Sequence, residues 1–204
     1  MNGIVYKKTY NSPKLNIKEA LRYAGIKSDD KGSEALLLRC FAESDSQLSY
    51  KACMCRYAIS VSGDVIDLGF CSVKSHSLAI CLAECSEILL FCATIGNGID
   101  RLIEKSRLTS PAKAVMMDAL GSERVESLCD MLCDELFSEV QSEGFSLRPR
   151  FSPGYGDLPL DIQREIFASL NPTTNIGVIL NENLFMSPTK SVTAIVGIKK
   201  GLKI

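Results

Sequence analysis

Residues 148–159 read RPRFSPGYGDLP. Arg150 precedes a Ser152-Pro153-Gly154 turn, Tyr155 follows it, and Gly156-Asp157 lie beyond. Prolines fix φ and narrow a loop's freedom, while glycines let a ligand approach the main chain closely. A guanidinium beside such a loop can take a carboxylate through two parallel hydrogen bonds, and a tyrosine adds a hydroxyl on an apolar ring. Exposed amides between the glycines could hydrogen-bond the edge of a heterocycle. The same composition also suits a rigid connection between helices, with Arg150 bonding carbonyls. Residue chemistry alone leaves these two readings level. A helix or a central strand is excluded for the stretch.

Other residues invite chemistry less strongly. Nine cysteines occur at irregular spacing, an odd count that argues against a secreted disulfide framework and for reduced thiols. Cys53 and Cys55 are expected to share a strand face, and Cys81/Cys85 and Cys129/Cys133 to share helix faces. No CxxC occurs and the three pairs fall on different elements, so buried inert thiols are preferred to a metal centre. His76, the single histidine, precedes a helical pattern and is read as a capping or surface residue, with no nucleophile signature near it. In LLFCATIGNGID, Gly96-x-Gly98 follows a strand and opens a helix, as a dinucleotide loop would. The third glycine and a following ribose-binding acid are missing, so a plain strand-to-helix turn with Asn97 near the cap is expected.

These residues need elements to position them. Asn16, with Glu19 three residues on, predicts a helix start, and Gly25 its end. A second helix is predicted from about Ser33 to Ala42, with Asp29 and Asp30 in the turn before it. Residues 50–70, rich in β-branched and aromatic types, read as a hairpin turning at Ser62-Gly63-Asp64. SHSLAICLAEC has helical spacing, and EILLFCATIG reads as a buried strand. Asn97 to Glu143 is helical apart from a break at 108–111. LDIQREIFASL predicts a short helix ended by Asn171-Pro172, and NIGVIL and SVTAIVGI predict two strands. Helices and mostly antiparallel strands that do not alternate regularly define an α+β class.

The chain has 204 residues, 46% hydrophobic and 23% charged, enough for a sizeable core. A formal charge of -1 with interspersed signs gives no footprint for nucleic acid or an anionic membrane. Lys199, Lys200 and Lys203 form the nearest thing to a basic tail and are read as a solvated terminus. The start lacks a signal peptide's apolar run and no stretch is long enough to span a bilayer, so a cytoplasmic protein is expected.

RFSPGYGDLP resembles a signature of the activation domain of cobalamin-dependent methionine synthase, which binds S-adenosylmethionine: Arg, three residues, Gly-Tyr, then Pro. LNENLFMSPTKSVTAIVG resembles that family's later block, and ALGSERVESLCDMLCDEL its helix with an acidic ligand-binding residue. The resemblance is clearest over 87–198, with 1–86 as N-terminal helices and hairpin of the same domain, 1–204. It implies a twisted antiparallel sheet with packed helices, and a ligand site in which Arg150 binds the methionine carboxylate. Pro153 and Gly154 would shape the adenosine-facing backbone, Tyr155 would contact the ligand, and Asp134, with Glu135 as rival, would pair with the α-ammonium. It further implies S-adenosylmethionine as cofactor and cobalamin supplied by a partner, a methionine synthase lacking its own activation domain. A flavodoxin-like or ferredoxin-like donor would provide the electron. The chain would serve reductive methylation of cob(II)alamin without turning over alone. The competing expectation is a scaffold for another corrinoid-dependent one-carbon system that does not use S-adenosylmethionine. A self-sufficient methyltransferase is weaker, for want of the Rossmann glycines.

Overall fold

The computed structural model describes residues 3–27 and 29–200; Lys203 lies outside them. The chain begins with β1 (Tyr6–Tyr10), α1 (Ile17–Tyr23), α2 (Lys31–Ser44), β2 (Tyr50–Ala58), β3 (Ser60–Ser62), β4 (Val65–Asp67) and β5 (Ser72–Lys74). Then come α3 (His76–Cys81), β6 (Cys85–Thr94), α4 (Gly98–Thr109), α5 (Pro111–Ser142) and β7 (Phe145–Phe151). It ends with α6 (Gln163–Leu170), α7 (Pro172–Ile176), β8 (Ile179–Leu180), β9 (Met186–Ser187) and β10 (Ser191–Lys200).

Five strands form one antiparallel sheet in the order β1-β2-β6-β10-β7, and β3-β4-β5 and β8-β9 form two small ones. Alternation along the strands sends side chains to two cores. Phe91, Val196 and Ile198 meet Leu37, Leu120 and Leu128 of the long helices on one face. Leu90, Cys92 and Ile195 meet Leu78, Ile166 and Ile66 on the other. Helices on an antiparallel sheet make this α+β, as the sequence indicates.

Local chemistry sets the helix boundaries. Asn16 accepts from the Glu19 amide to open α1. The second helix starts two residues before Ser33, because Asp30 is its cap and accepts from Gly32 and Ser33. Ser110 caps α5 and Pro111 takes the first helical position, which explains the break at 108–111. The buried Arg124–Glu123 pair then staples the segment before α1 to α5: Arg124 donates to the Pro13 and Lys14 carbonyls, and Glu123 accepts from the Asn16 amide.

Three expectations need correction. Residues 50–70 are not one hairpin: Ser62-Gly63-Asp64 does turn β3 into β4, but β2 joins the large sheet between β1 and β6. Helix α3 stops at Cys81 and Glu84 takes a positive φ of 63°, so Cys85 opens a strand and shares no helix face with Cys81. Only Ile179–Leu180 of NIGVIL is strand, because Asn171 both closes α6 and caps a further helix, α7. Residues 145–151, apart from the helices, form an edge strand, which is where a strand proline such as Pro149 can sit.

All nine cysteines are free. Burial pushes the Cys53 and Cys133 thiols up to about 11, so both are protonated at neutral pH. Ellman's reagent is expected to leave Cys53, Cys92 and Cys129, all buried, untouched in the native protein and to label them after denaturation. Rapid labelling of these three at neutral pH would contradict the burial.

Candidate ligand site at the end of β7

Arg150 lies near the end of edge strand β7, and a bulge decides where it points. Leu147 pairs with Ile198 and Arg150 with Val196, so Arg148 and Pro149 together oppose Gly197. The extra residue breaks strict alternation. Arg148 turns toward the α3 side and donates to the Ala83 carbonyl at 3.2 Å, while Arg150 turns to α5. A Cβ on Gly197 would lie 2.7 Å from Cys85 Sγ and 2.8 Å from Leu82, so any larger residue there would push these side chains aside.

On the α5 side, Arg150 Nη2 donates to Glu126 at 3.0 Å and to Asp130 at 2.8 Å. Its Nη1 is buried and, although the Cys129 thiol lies beside the guanidinium, has no hydrogen-bond partner among the described residues. A buried guanidinium nitrogen without an acceptor is costly unless something supplies one.

The loop after β7 folds on itself. Tyr155 N donates to the Ser152 carbonyl, Gly154 N to Leu158, and Leu158 N to Tyr155, all at 3.0–3.1 Å. Gly154 and Gly156 take φ of 82° and 56°, which suit glycine. Leu158 is buried beneath, whereas Tyr155 stands 70% exposed, packed edge-on against Phe151 at 5.4 Å. Pro153 is half-buried at the turn.

Asp157 anchors the far end of this loop. It accepts from Ser75 Oγ at 2.6 Å, His76 N at 2.7 Å and Ser77 N at 3.0 Å, the first turn of α3. The Ser75 hydroxyl, together with the Ser77 and His76 amides, holds its carboxyl well below the usual carboxylate range. A depressed folded-state pKa means the clamp is complete above the ordinary carboxylate pKa and is lost only as pH falls through the lower folded value. Asp157→Ala is therefore expected to speed amide exchange at Gly154, Leu158 and Ser77 from mildly acidic through neutral pH, leaving β6 and β10 protected. Unchanged exchange in the loop would refute the anchoring role. His76 bonds Asp64 at 2.8 Å through Nδ1 and tethers α3 to the β3–β4 turn, in keeping with a surface residue.

Between α3 and the loop a cleft of about 520 Å³ runs past Ser77, Ile80, Cys81, Arg148 and Tyr155. A larger one, about 710 Å³, lies at the opposite edge of the sheet between β1 and α5. Glu135 belongs to that second cleft and ion-pairs with Lys8 at 2.8 Å. Asp134 is exposed, one turn beyond Asp130. Neither bonds to Arg150, and the acids that do, Glu126 and Asp130, are not among those singled out in the sequence. The Gly96-x-Gly98 turn packs closely on the segment before β2: a Cβ on Gly98 would sit 2.0 Å from the Gln47 carbonyl oxygen, and one on Gly96 2.5 Å from Ser49 Oγ. Among the described residues no group of three or more His, Cys, Asp or Glu side chains could hold a metal ion. No helix among them is long and apolar enough to cross a membrane.

The architecture is that of an α+β domain, with an Arg-loop-Tyr corner at one sheet edge. No protein-family model and no curated protein matches the sequence. A solved structure, described as the crystal structure of the MetH reactivation domain bound to AdoHcy, matches with a TM-score of 0.68 over 98% of this chain and 80% of that one, at 14% identity. The fold is therefore that of the MetH reactivation domain.

Proposed function

We propose that this chain binds S-adenosylmethionine and serves as an accessory protein for reactivating a cobalamin-dependent methionine synthase. The observation that carries this reading is the buried Nη1 of Arg150, without a hydrogen-bond partner among the described residues, beside two carboxylates at the start of this chain's Arg-x-x-x-Gly-Tyr loop. An amino-acid head group matches that arrangement: its carboxylate gives Nη1 an acceptor, and its ammonium meets Glu126 or Asp130. Pro153, Gly154 and Tyr155 form the wall against which the rest of the ligand lies. Tyr155, being exposed, would meet a second macromolecule as well as the ligand.

Cobalamin, bound by a methionine synthase partner, would supply the methyl-accepting cobalt, with the electron from a flavodoxin-like or ferredoxin-like protein. This chain's part is to hold and orient the methyl donor. Alone, it does not turn over.

A second reading has its own support. Glu126 and Asp130 already satisfy one nitrogen of Arg150, as they would if the arginine only pinned β7 to α5 in a scaffold for another corrinoid-dependent one-carbon system. Calorimetric titration with S-adenosylmethionine, and with S-adenosylhomocysteine for comparison, separates the two. Saturable one-to-one binding is expected. Absence of binding, both to the free chain and with a cobalamin-binding methionine synthase fragment added, would leave the scaffold.

A further inference from the structure

The surroundings of Arg150 hold more negative charge than it balances. Glu126 and Asp130 both lean on the same Nη2, and neither bonds to another cation among the described residues. One cation and two anions leave the cluster at -1. The free nitrogen, Nη1, is the acceptor-seeking one, so a ligand carboxylate would not displace either acid. The surplus acid is left to meet a cation.

An amino-acid head alone brings one carboxylate and one ammonium and cannot neutralise that surplus. A sulfonium can. Glu126 and Asp130 are one helical turn apart, about 6 Å along the axis, comparable with the four bonds between the α-nitrogen and the sulfur of a methionine chain. Glu126, the more buried of the two at 38% against 68% side-chain exposure, suits the ammonium. We infer that Asp130 is a specificity-determining residue that favours the sulfonium ligand, S-adenosylmethionine, over its thioether product, S-adenosylhomocysteine. The inference rests on the S-adenosyl reading above. Such a preference would let the spent ligand leave and the charged one replace it.

The test is titration of the full chain and of Asp130→Asn with both ligands, at low and raised ionic strength. Because Asp130 is exposed, the variant is expected to lose about three- to fivefold in S-adenosylmethionine affinity while S-adenosylhomocysteine changes by less than about twofold. In the wild type the preference should shrink as salt is raised. Equal losses for both ligands would mean that Asp130 serves the shared head group, and an unchanged ratio would mean that it serves neither; either overturns the inference and leaves the S-adenosyl reading standing. Failure of the wild type to bind either ligand, both alone and with the cobalamin-binding methionine synthase fragment added, removes that reading, and this inference with it.

Discussion

Arg124→Ala is expected to lower stability by about 3–5 kcal/mol, the usual result of breaking a buried ion pair from one side. Arg124 is fully buried and Glu123 is 1% exposed. Arg124 grips Glu123 through Nε and Nη2, both at 2.6 Å, and donates to the Pro13 carbonyl through Nη1 and to the Lys14 carbonyl through Nη2. Alanine would leave a carboxylate in the core with only Ser127 Oγ and the Asn16 amide for company, and two carbonyls without donors. The Phe41 ring beneath the guanidinium would face a void. Urea unfolding measures the loss. Removing both charges together, as Glu123→Leu with Arg124→Met, should cost less than the single change, because no charge is then stranded. A single-variant loss below about 1 kcal/mol would show that water reaches the pair and that it is not the staple described.

Arg150→Ala is expected to weaken S-adenosylmethionine binding at least ~10-fold, since losing a charge-assisted pair costs about 1.4 kcal/mol or more. Folding should survive the change: the two acids it releases are 38% and 68% exposed and can turn to solvent. Arg150→Lys keeps the charge but loses the fork that reaches Nη1's position, so it should recover only part of the affinity. Calorimetry on both variants reads the effect. Wild-type affinity in a folded Arg150→Ala protein would take the residue out of the site.

Much of the helical frame was legible because caps are local. Asn16, Ser110-Pro111 and Gly25 announce helix ends with residues that bond their own neighbours. Strand β1 was not legible. YKKTY buries only Tyr10, and its identity comes from pairing with β2 some 40 residues away, a contact no local pattern encodes.

The acids at Arg150 were missed for a related reason, although a signal existed. Gly144 turns the chain back on α5. Six strand residues at about 3.3 Å each carry Arg150 roughly 20 Å back, which is about 13 helical residues and lands near position 130. Matching a motif by helix register alone put the acid at Asp134 instead, one turn nearer the bend. Chain geometry finds the acids that bond Arg150, a different question from which acid meets a ligand's ammonium. The buried Nη1, by contrast, could only come from packing.

The bulge opposite Gly197 makes the spacing before the loop a matter of counting. With its present length and regular pairing, β7 would bring Arg150 opposite Ile195, and its guanidinium into the apolar core on the α3 side. A chain one residue shorter at Pro149 would need no bulge and would still set Arg150 opposite Val196, facing α5. Deletion at this point is thus the gentle lesion, while ironing the strand flat without it is the disruptive one. Two homologous chains differing here by a single gap could keep the same arginine in the same place, and an alignment that penalised the gap would pair the wrong residues.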